Sequence, residues 1–231
     1  MRLACLYAME ARCSSPRRAL IRLCTIFGVS KEVETMVFSR ECEELAAQAE
    51  ALRLLSLLFD GPSPSLLPVV ESLEGLYRGD REAVELLEGM AESLERDDLV
   101  ALQVDHARLF IGPFQMIAPP YASLYLEAGD RVDGEVTRRI ARRYAEGGLS
   151  LLPDEKRPAD YVGYLFEFLS YLAFEVVRNG DKGRFSEMDQ FAEEYVLGWV
   201  PRLFGLMQEG ADTRYFKSFG KLGLEHLPIG L

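Results

Sequence analysis

The residues that most often carry chemistry are sparse in this chain. Only two histidines occur, His106 and His226, 120 positions apart, and no Glu-x-x-His pair accompanies them as a carboxylate-bridged di-metal bundle requires. Asp105 precedes His106, but neighbouring residues on a helix point about 100° apart and do not form a direct acid–base pair. No phosphate-binding loop, dinucleotide-binding turn or nucleophile elbow occurs. We therefore predict a binding protein without enzyme activity, metal or bound cofactor.

The cysteines are confined to the N-terminal end of the chain. There are four of them, Cys5, Cys13, Cys24 and Cys42. Their spacing fits no zinc motif, and the cysteine-free remainder argues against a secreted disulfide scaffold, so we expect reduced thiols. Arg22 interrupts a short apolar run, which disfavours an export signal. Residues 1–37 are interpreted as an N-terminal extension, with Met36 an alternative natural start, ahead of a domain at 38–231.

The charge of the chain is unevenly distributed. The net charge is −11; residues 1–35 carry six basic and three acidic side chains, and the remaining 196 residues carry 20 and 34. An acidic body repels nucleic acid and anionic membranes and attracts cationic partners, although solubility explains the charge equally well. No apolar run reaches the length of about 20 residues that a membrane span requires. We expect a cytoplasmic protein.

Segment 112–121 combines proline with large apolar side chains. Its three prolines exclude a helix interior. It also carries side chains that a simple connection does not need, namely Phe114, Met116, Ile117 and Tyr121. A structured loop with a binding role is predicted.

The elements that must position this loop are helical. Apolar residues recur at spacings of three and four, and Gly, Pro and Asn-Gly breaks separate the segments. Helices are predicted over 39–59, 63–77, 81–94, 96–110, 133–146, 158–178, 184–208 and 212–219. Ser39 is the expected N-cap of the first, and Pro201 should kink or break the seventh. No alternating β pattern is found, so we predict an all-α, single helical-bundle domain.

Three motifs in the chain, in order, are similar to those of a known family. The first joins residues 105–113, which contain Leu109-Phe110-x-Gly-Pro, to residues 118–125, which contain Pro-Pro-Tyr-x-Ser-Leu-Tyr. The second spans 157–163 and the third 195–204. Over residues 38–207 the chain thus resembles the TorD/DmsD/NarJ-type chaperones, the redox enzyme maturation proteins.

The resemblance implies an all-helical cytoplasmic chaperone of the TorD-like type. Such proteins bind the twin-arginine signal peptide, or another region, of a molybdenum-cofactor reductase subunit until cofactor insertion is complete, and so delay its export. They occur as monomers and domain-swapped dimers, for which linker 149–157 is the expected hinge. Two alternatives stay open: a NarJ-like assembly chaperone of a non-exported nitrate reductase subunit, and a helical small-molecule-binding regulator or enzyme.

The chain departs from the family motifs at three aromatic positions. His106, Tyr121 and Tyr161 stand where many members have Trp, Trp and His. Tyrosine keeps a large face with a polar tip, so peptide binding is still expected. The peptide-binding residues that we predict are His106, Leu109, Phe114, Pro120, Tyr121, Asp160 and Tyr161.

An arginine-bearing peptide calls for an apolar groove with carboxylates at its rim, because arginine pairs bidentately with carboxylates. The expected rim residues are Asp105, Glu127, Asp130 and Asp160. Structural roles compete: Asp160 equally suits the first turn of its own helix, Trp199 is expected in the core, and so is at least one of Leu109 and Phe110. We expect an acidic residue at Tyr121, or Asp160→Lys, to weaken peptide binding and leave the fold intact.

Overall fold

A computed structural model describes residues 3–5, 31–112, 115–128, 132–180 and 182–229, with backbone alone for 3–5, 31–39 and 182. The described part contains ten helices and one pair of short strands. In chain order these are β1 (Leu3–Cys5), α1 (Lys31–Leu58), α2 (Leu67–Leu76), α3 (Arg81–Arg96), α4 (Leu99–Phe110), α5 (Ser123–Leu126), α6 (Glu135–Glu146), β2 (Leu149–Leu151), α7 (Val162–Asn179), α8 (Lys182–Tyr195), α9 (Val200–Gly210) and α10 (Arg214–Glu225). A 3-10 turn at Pro64–Leu66 precedes α2.

Side-chain caps explain where several helices begin. Asp80 accepts from the backbone N–H groups of Glu82 and Ala83 at the start of α3, and Asp98 accepts from Val100 at the start of α4. These bonds satisfy N–H groups that have no partner within the helix. Gly180 ends α7 in the left-handed conformation, at φ 63°.

The all-α prediction is confirmed, but several predicted boundaries are wrong. Helix α1 begins at Lys31 and continues through Ser39, which is therefore not an N-cap. Helix α7 begins at Val162 because the segment from Pro158 forms a separate turn, closed by a hydrogen bond from Tyr161 N to Pro158 O at 3.2 Å.

The segment predicted over 184–208 forms two helices, α8 and α9, with Pro201 in the first turn of α9, so the expected break there is confirmed. Strands β1 and β2 pair antiparallel, with Leu3 opposite Leu151. Three residues are too few to show an alternating pattern.

The core is centred on Phe59, the residue that follows α1. Its ring centroid lies 5.8 Å from that of Phe110, 6.1 Å from Phe166, 5.9 Å from Phe204 and 4.9 Å from Phe219. These rings come from α4, α7, α9 and α10, so one buried side chain connects five parts of the fold. Aromatic pairs at such distances add about 0.5–1.5 kcal/mol each beyond the burial of their area.

Two helix pairings frame this core. Helix α1 packs along α7, and α10 packs between α9 and α3. Gly220 of α10 permits the close approach of α9, because a Cβ at this position would collide with the backbone of Gln208. The described helices contain none that is both long and apolar enough to cross a membrane.

Candidate functional site

An open cleft lies between the end of α1, the turn that follows it and α4. Its volume is about 610 Å³. The lining is a mixture of apolar and polar side chains from three segments: Leu57, Asp60, Gly61, Pro62, Ser63, Ser65, Leu66, Val69, Gln103 and His106. Gly61 has a φ of +110°, and a Cβ there would lie 3.4 Å from the imidazole of His106. Glycine therefore allows the turn to close over His106.

The backbone carbonyl of Phe59 organises the wall of the cleft. Tyr161 donates its hydroxyl to this oxygen at 2.7 Å, and His106 Nε2 lies 3.3 Å from the same oxygen. The ring of Phe59 lies at the centre of the core, and its carbonyl joins two predicted site residues, His106 and Tyr161, which are 55 positions apart in the sequence. The carbonyl is at the end of α1, where it has no partner within the helix.

His106 is half-buried against aromatic rings. Its imidazole lies 5.1 Å from the ring of Phe110 and 5.9 Å from that of Phe216. Burial lowers the pKa of His106, and the positive charge of Arg157 lowers it further, while the Phe59 carbonyl and Asp60 act in the opposite direction. The imidazole is therefore neutral at pH 7 and presents a largely apolar face to the cleft.

Tyr121 is joined to Tyr161 through the backbone. The two residues form an isolated antiparallel bridge, which Val162 N extends by donating to Pro120 O at 2.9 Å. Their ring centroids are 5.8 Å apart. Burial raises the pKa of Tyr121, as does the nearby Asp160 carboxylate, so its hydroxyl is neutral over the physiological range. The proline-rich loop is held against the start of α7 by these contacts.

An ion pair separates the cleft from this bridge. Arg157 donates to Asp60 at 2.7 Å, with both side chains 36% exposed. The guanidinium carbon of Arg157 also lies 4.6 Å from the centroid of the Tyr161 ring, within range of a cation–π contact. Asp60 is the carboxylate that lines the cleft, and it is already paired.

The structure contradicts the expected acidic rim, beginning with Asp160. This residue is fully buried two positions ahead of α7, and its Oδ2 accepts from Ser123 N at 2.9 Å. It therefore caps α5 across 37 positions instead of its own helix. A lysine at this position would bury an unpartnered cation, so the structure predicts that Asp160→Lys destabilises the fold, contrary to the expectation from the sequence.

The other rim candidates have structural roles as well. Asp105 is 2% exposed and accepts from the backbone N–H groups of Asp212 and Thr213 and from the hydroxyl of Thr213, which is the N-cap residue of α10. Glu127 accepts from Val136 N in the first turn of α6. Asp130 lies outside the described residues. Among the described residues, Asp105, Glu127 and Asp160 thus do not form an exposed acidic rim at the cleft.

The remaining predicted site residues fall into two groups. Leu109 and Pro120 are buried, so in this conformation they support the cleft without reaching a ligand. Phe110 is also buried, which confirms the expected core position for this pair. Phe114 lies outside the described residues. Half-buried His106 and Tyr121 keep accessible surface, whereas Tyr161 is 3% exposed and acts through its hydroxyl and ring.

Five residues of the site were missed by sequence reasoning, namely Phe59, Asp60, Gly61, Pro62 and Arg157. Asp60-Gly61-Pro62 was treated only as a helix stop, yet it lines the cleft, and the Phe59 carbonyl is invisible to side-chain patterns. Arg157 opens the second motif, which was the available signal. Trp199, from the third motif, is 1% exposed, as expected for a core residue. Its ring stacks on that of Tyr125 at a centroid distance of 4.9 Å, which packs the third motif against the end of the first.

One cluster in the described residues has metal-ligand spacing. It consists of Glu82, Glu225 and His226. Lys221 Nζ lies 2.6 Å from Glu82 and 3.6 Å from Glu225, so an ammonium group already neutralises these carboxylates. His226 Nδ1 pairs with Asp80 at 2.7 Å. The cluster joins α10 to α3 and is explained by that structural role.

These features define an all-helical protein in which His106 of the first motif lines the cleft and Tyr161 of the second motif meets it at the Phe59 carbonyl. Its family is shown by comparison with known proteins. Residues 73–205 match the family model described as nitrate reductase delta subunit, and the chain belongs to that family. The resemblance to the TorD/DmsD/NarJ-type chaperones is thereby confirmed.

Individual relatives agree with this assignment. The chain is 26% identical to the Tat proofreading chaperone DmsD of Salmonella typhi over 50% of this chain and 53% of the relative. It is 26% identical to the chaperone protein TorD of Vibrio vulnificus over 55% and 61%. The chain thus spans little more than half the length of these curated relatives. A solved structure of a candidate redox enzyme maturation protein from Archaeoglobus fulgidus is 26% identical, with 78% of this chain and 94% of that chain covered and a TM-score of 0.48.

Proposed function

We propose that this protein is a cytoplasmic, non-catalytic maturation chaperone for a molybdoenzyme reductase. It binds the twin-arginine signal peptide or the apo form of the catalytic subunit, and it releases the subunit for export after cofactor insertion. The family assignment and the names of its relatives, Tat proofreading chaperone and chaperone protein TorD, support this function.

The observation that carries the proposal is the meeting of the motifs beside one cleft. His106 comes from the first motif, Tyr161 from the second, and both reach the Phe59 carbonyl. Tyr121, from the end of the proline-rich loop, is bridged to Tyr161. An open cleft of about 610 Å³ with apolar and hydroxyl-bearing walls suits an extended peptide better than a small charged substrate. The half-buried faces of His106 and Tyr121 are the proposed contacts with the client.

A second candidate function is assembly of a nitrate reductase that is not exported. The description of the matching family model, nitrate reductase delta subunit, favours it. Both candidates predict a molybdopterin-containing catalytic subunit as the partner. They differ in whether that subunit carries a twin-arginine signal peptide and is exported.

Affinity purification from the native cells tests both candidates. The full chain carries a C-terminal tag, and co-purified proteins are identified by mass spectrometry in wild-type and Tyr121→Glu preparations. We expect a molybdopterin oxidoreductase catalytic subunit with the wild type and much less of it with the variant. Recovery of no such subunit by correctly folded wild-type protein would overturn the proposed function. Recovery of a nitrate reductase catalytic subunit that carries no twin-arginine signal peptide would select the second candidate.

A further inference from the structure

A second concavity lies on the other side of α1, away from the cleft. Its volume is about 350 Å³, and its floor and walls come from α1, α7, α8 and the segment after α10. The lining is mostly apolar: Leu45, Gln48, Leu52, Leu169, Ala173, Phe185, Met188, Asp189, Ala192, Glu193, Leu197, Pro228 and Ile229. We call it the α8 groove. Leu57 lines the cleft, whereas Leu45, Gln48 and Leu52 line the groove, and a rotation of about 100° per residue places Leu57 on a different face of α1 from these three.

Two carboxylates stand on the apolar face of α8 that borders this groove. Phe185, Met188, Asp189, Ala192 and Glu193 are spaced i, i+3, i+4, i+7 and i+8, which places them on one helix face. Asp189 and Glu193 are exposed, and neither has an ion-pair partner among the described residues. Like charges four residues apart repel and weaken a helix. Charge at these positions therefore opposes helix stability, and a cationic ligand would relieve the repulsion.

The charges that line the groove favour a positively charged ligand. None of the described residues that line it is basic. The carboxylates at i and i+4 have Cβ atoms about 5–6 Å apart, so one guanidinium, with its five N–H donors, can bridge them. Leu197, 39% exposed beside Glu193, adds apolar surface next to the charges.

We propose that the α8 groove binds a cationic apolar peptide segment, with its arginines on Asp189 and Glu193 and its apolar side chains over Phe185, Met188 and Leu197, which keep accessible surface. This segment is the leader of the client subunit, an identification that rests on the proposed function. The groove supplies the combination of apolar floor and free carboxylates that the cleft beside His106 lacks, because the carboxylate lining the cleft is paired with Arg157. The client is thus held at two places on α1.

A double-mutant cycle in solution tests the charge contact. The probe is a synthetic peptide with two adjacent arginines ahead of a run of leucine and alanine, and its partner peptide has glutamines in place of the arginines. Calorimetry with the full chain compares wild type with Asp189→Asn/Glu193→Gln. We expect the arginine peptide to bind the double variant about three- to tenfold more weakly. The glutamine peptide should bind both proteins equally, so that the loss is a coupling between arginine and carboxylate.

A matched control separates local contact from net charge. Glu71→Gln/Glu74→Gln removes the same two charges from α2, where neither residue has an ion-pair partner among the described residues. This control should bind the arginine peptide as the wild type does. Equal loss in both double variants, or no loss in either, overturns the proposed groove. A concentration-dependent dimer that Asp189→Asn/Glu193→Gln disrupts would identify a second copy as the occupant and would also overturn it.

Photo-crosslinking locates the peptide independently of affinity. A benzophenone amino acid is placed at Leu197 in one protein and at Leu76 in another, two leucines with exposures of 39% and 38%. We expect the arginine peptide to crosslink at Leu197 and not at Leu76. If the native client co-purifies but no crosslink forms at Leu197, the groove assignment fails while the proposed function stands. If no client co-purifies but the peptide still crosslinks at Leu197, the proposed function fails while the groove assignment stands.

Discussion

Tyr161 donates its hydroxyl to the backbone carbonyl of Phe59 across 2.7 Å, linking the start of α7 to the end of α1 over 102 positions. The same carbonyl lies 3.3 Å from His106 Nε2. One backbone oxygen therefore joins the second family motif to the first, and the ring of the same residue packs at the centre of the core. The cleft wall and the core are fixed by a single residue.

Removing the Tyr161 hydroxyl should weaken this connection. Tyr161→Phe loses one buried hydrogen bond and keeps the ring, so the free energy of unfolding should fall by about 1 kcal/mol. Tyr171→Phe is the matched control, because it removes a bond to the Gly147 carbonyl at 3.1 Å far from the cleft in sequence. Urea unfolding measures both. We expect client binding to change only in Tyr161→Phe; equal binding in the two variants would separate the Phe59 carbonyl from client recognition.

Tyr121 should contribute to client binding through the part of its half-buried side chain that stays accessible. In Tyr121→Glu a charge replaces a half-buried aromatic ring, so client binding should weaken by about tenfold or more, while partial exposure limits the loss of stability. Tyr121→Phe keeps the ring and should bind almost normally. Co-purification of the client catalytic subunit, quantified by mass spectrometry, checks the order of the three proteins. Wild-type affinity in Tyr121→Glu would remove this residue from the site.

Asp160 should behave as a structural residue. Asp160→Lys places an unpartnered cation where the native side chain is fully buried, and it removes the cap of Ser123 N, so we expect a loss of at least about 3 kcal/mol. Asp160→Asn keeps an acceptor oxygen and should lose about 1 kcal/mol. Thermal unfolding followed by circular dichroism distinguishes them. A wild-type midpoint in Asp160→Lys would show that the buried position tolerates charge.

The depressed pKa of His106 predicts a pH-dependent stability. The pKa is lowered in the folded state by burial, so the unfolded chain takes up a proton first as pH falls below about 6.5. The contribution of His106 is therefore fully present above that pH and is lost as pH falls toward the lowered folded-state pKa. His106→Gln should lose less stability than the wild type between pH 7.5 and 5.5. Parallel urea midpoints across this range would contradict the assignment.

Much of the fold follows from local patterns in the sequence. The apolar spacing in 81–94 and 96–110 predicts α3 and α4 closely, because each helix buries one face and is bounded by breaks such as Gly79-Asp80. The order of the three motifs predicts the family, because each motif is a short pattern that can be read directly from the sequence. The start of α1 and the length of the turn before α7 were mispredicted. Pro158 is a strong local signal for a helix start, but Tyr161 N bonds to Pro158 O in a separate turn and Asp160 is used to cap α5.

The role of each acidic side chain was decided by tertiary structure. In the sequence, Asp105 and Asp160 look like surface carboxylates suited to arginine, because periodicity shows only which face of a helix a residue occupies. Asp105 instead accepts hydrogen bonds from Thr213, the N-cap residue of α10, and Asp160 caps α5 at Ser123. Their partners lie 108 and 37 positions away, and only packing of the helices brings those N–H groups within hydrogen-bond distance. Local sequence thus selects helices and family, whereas binding surfaces depend on which polar groups the fold leaves unpaired.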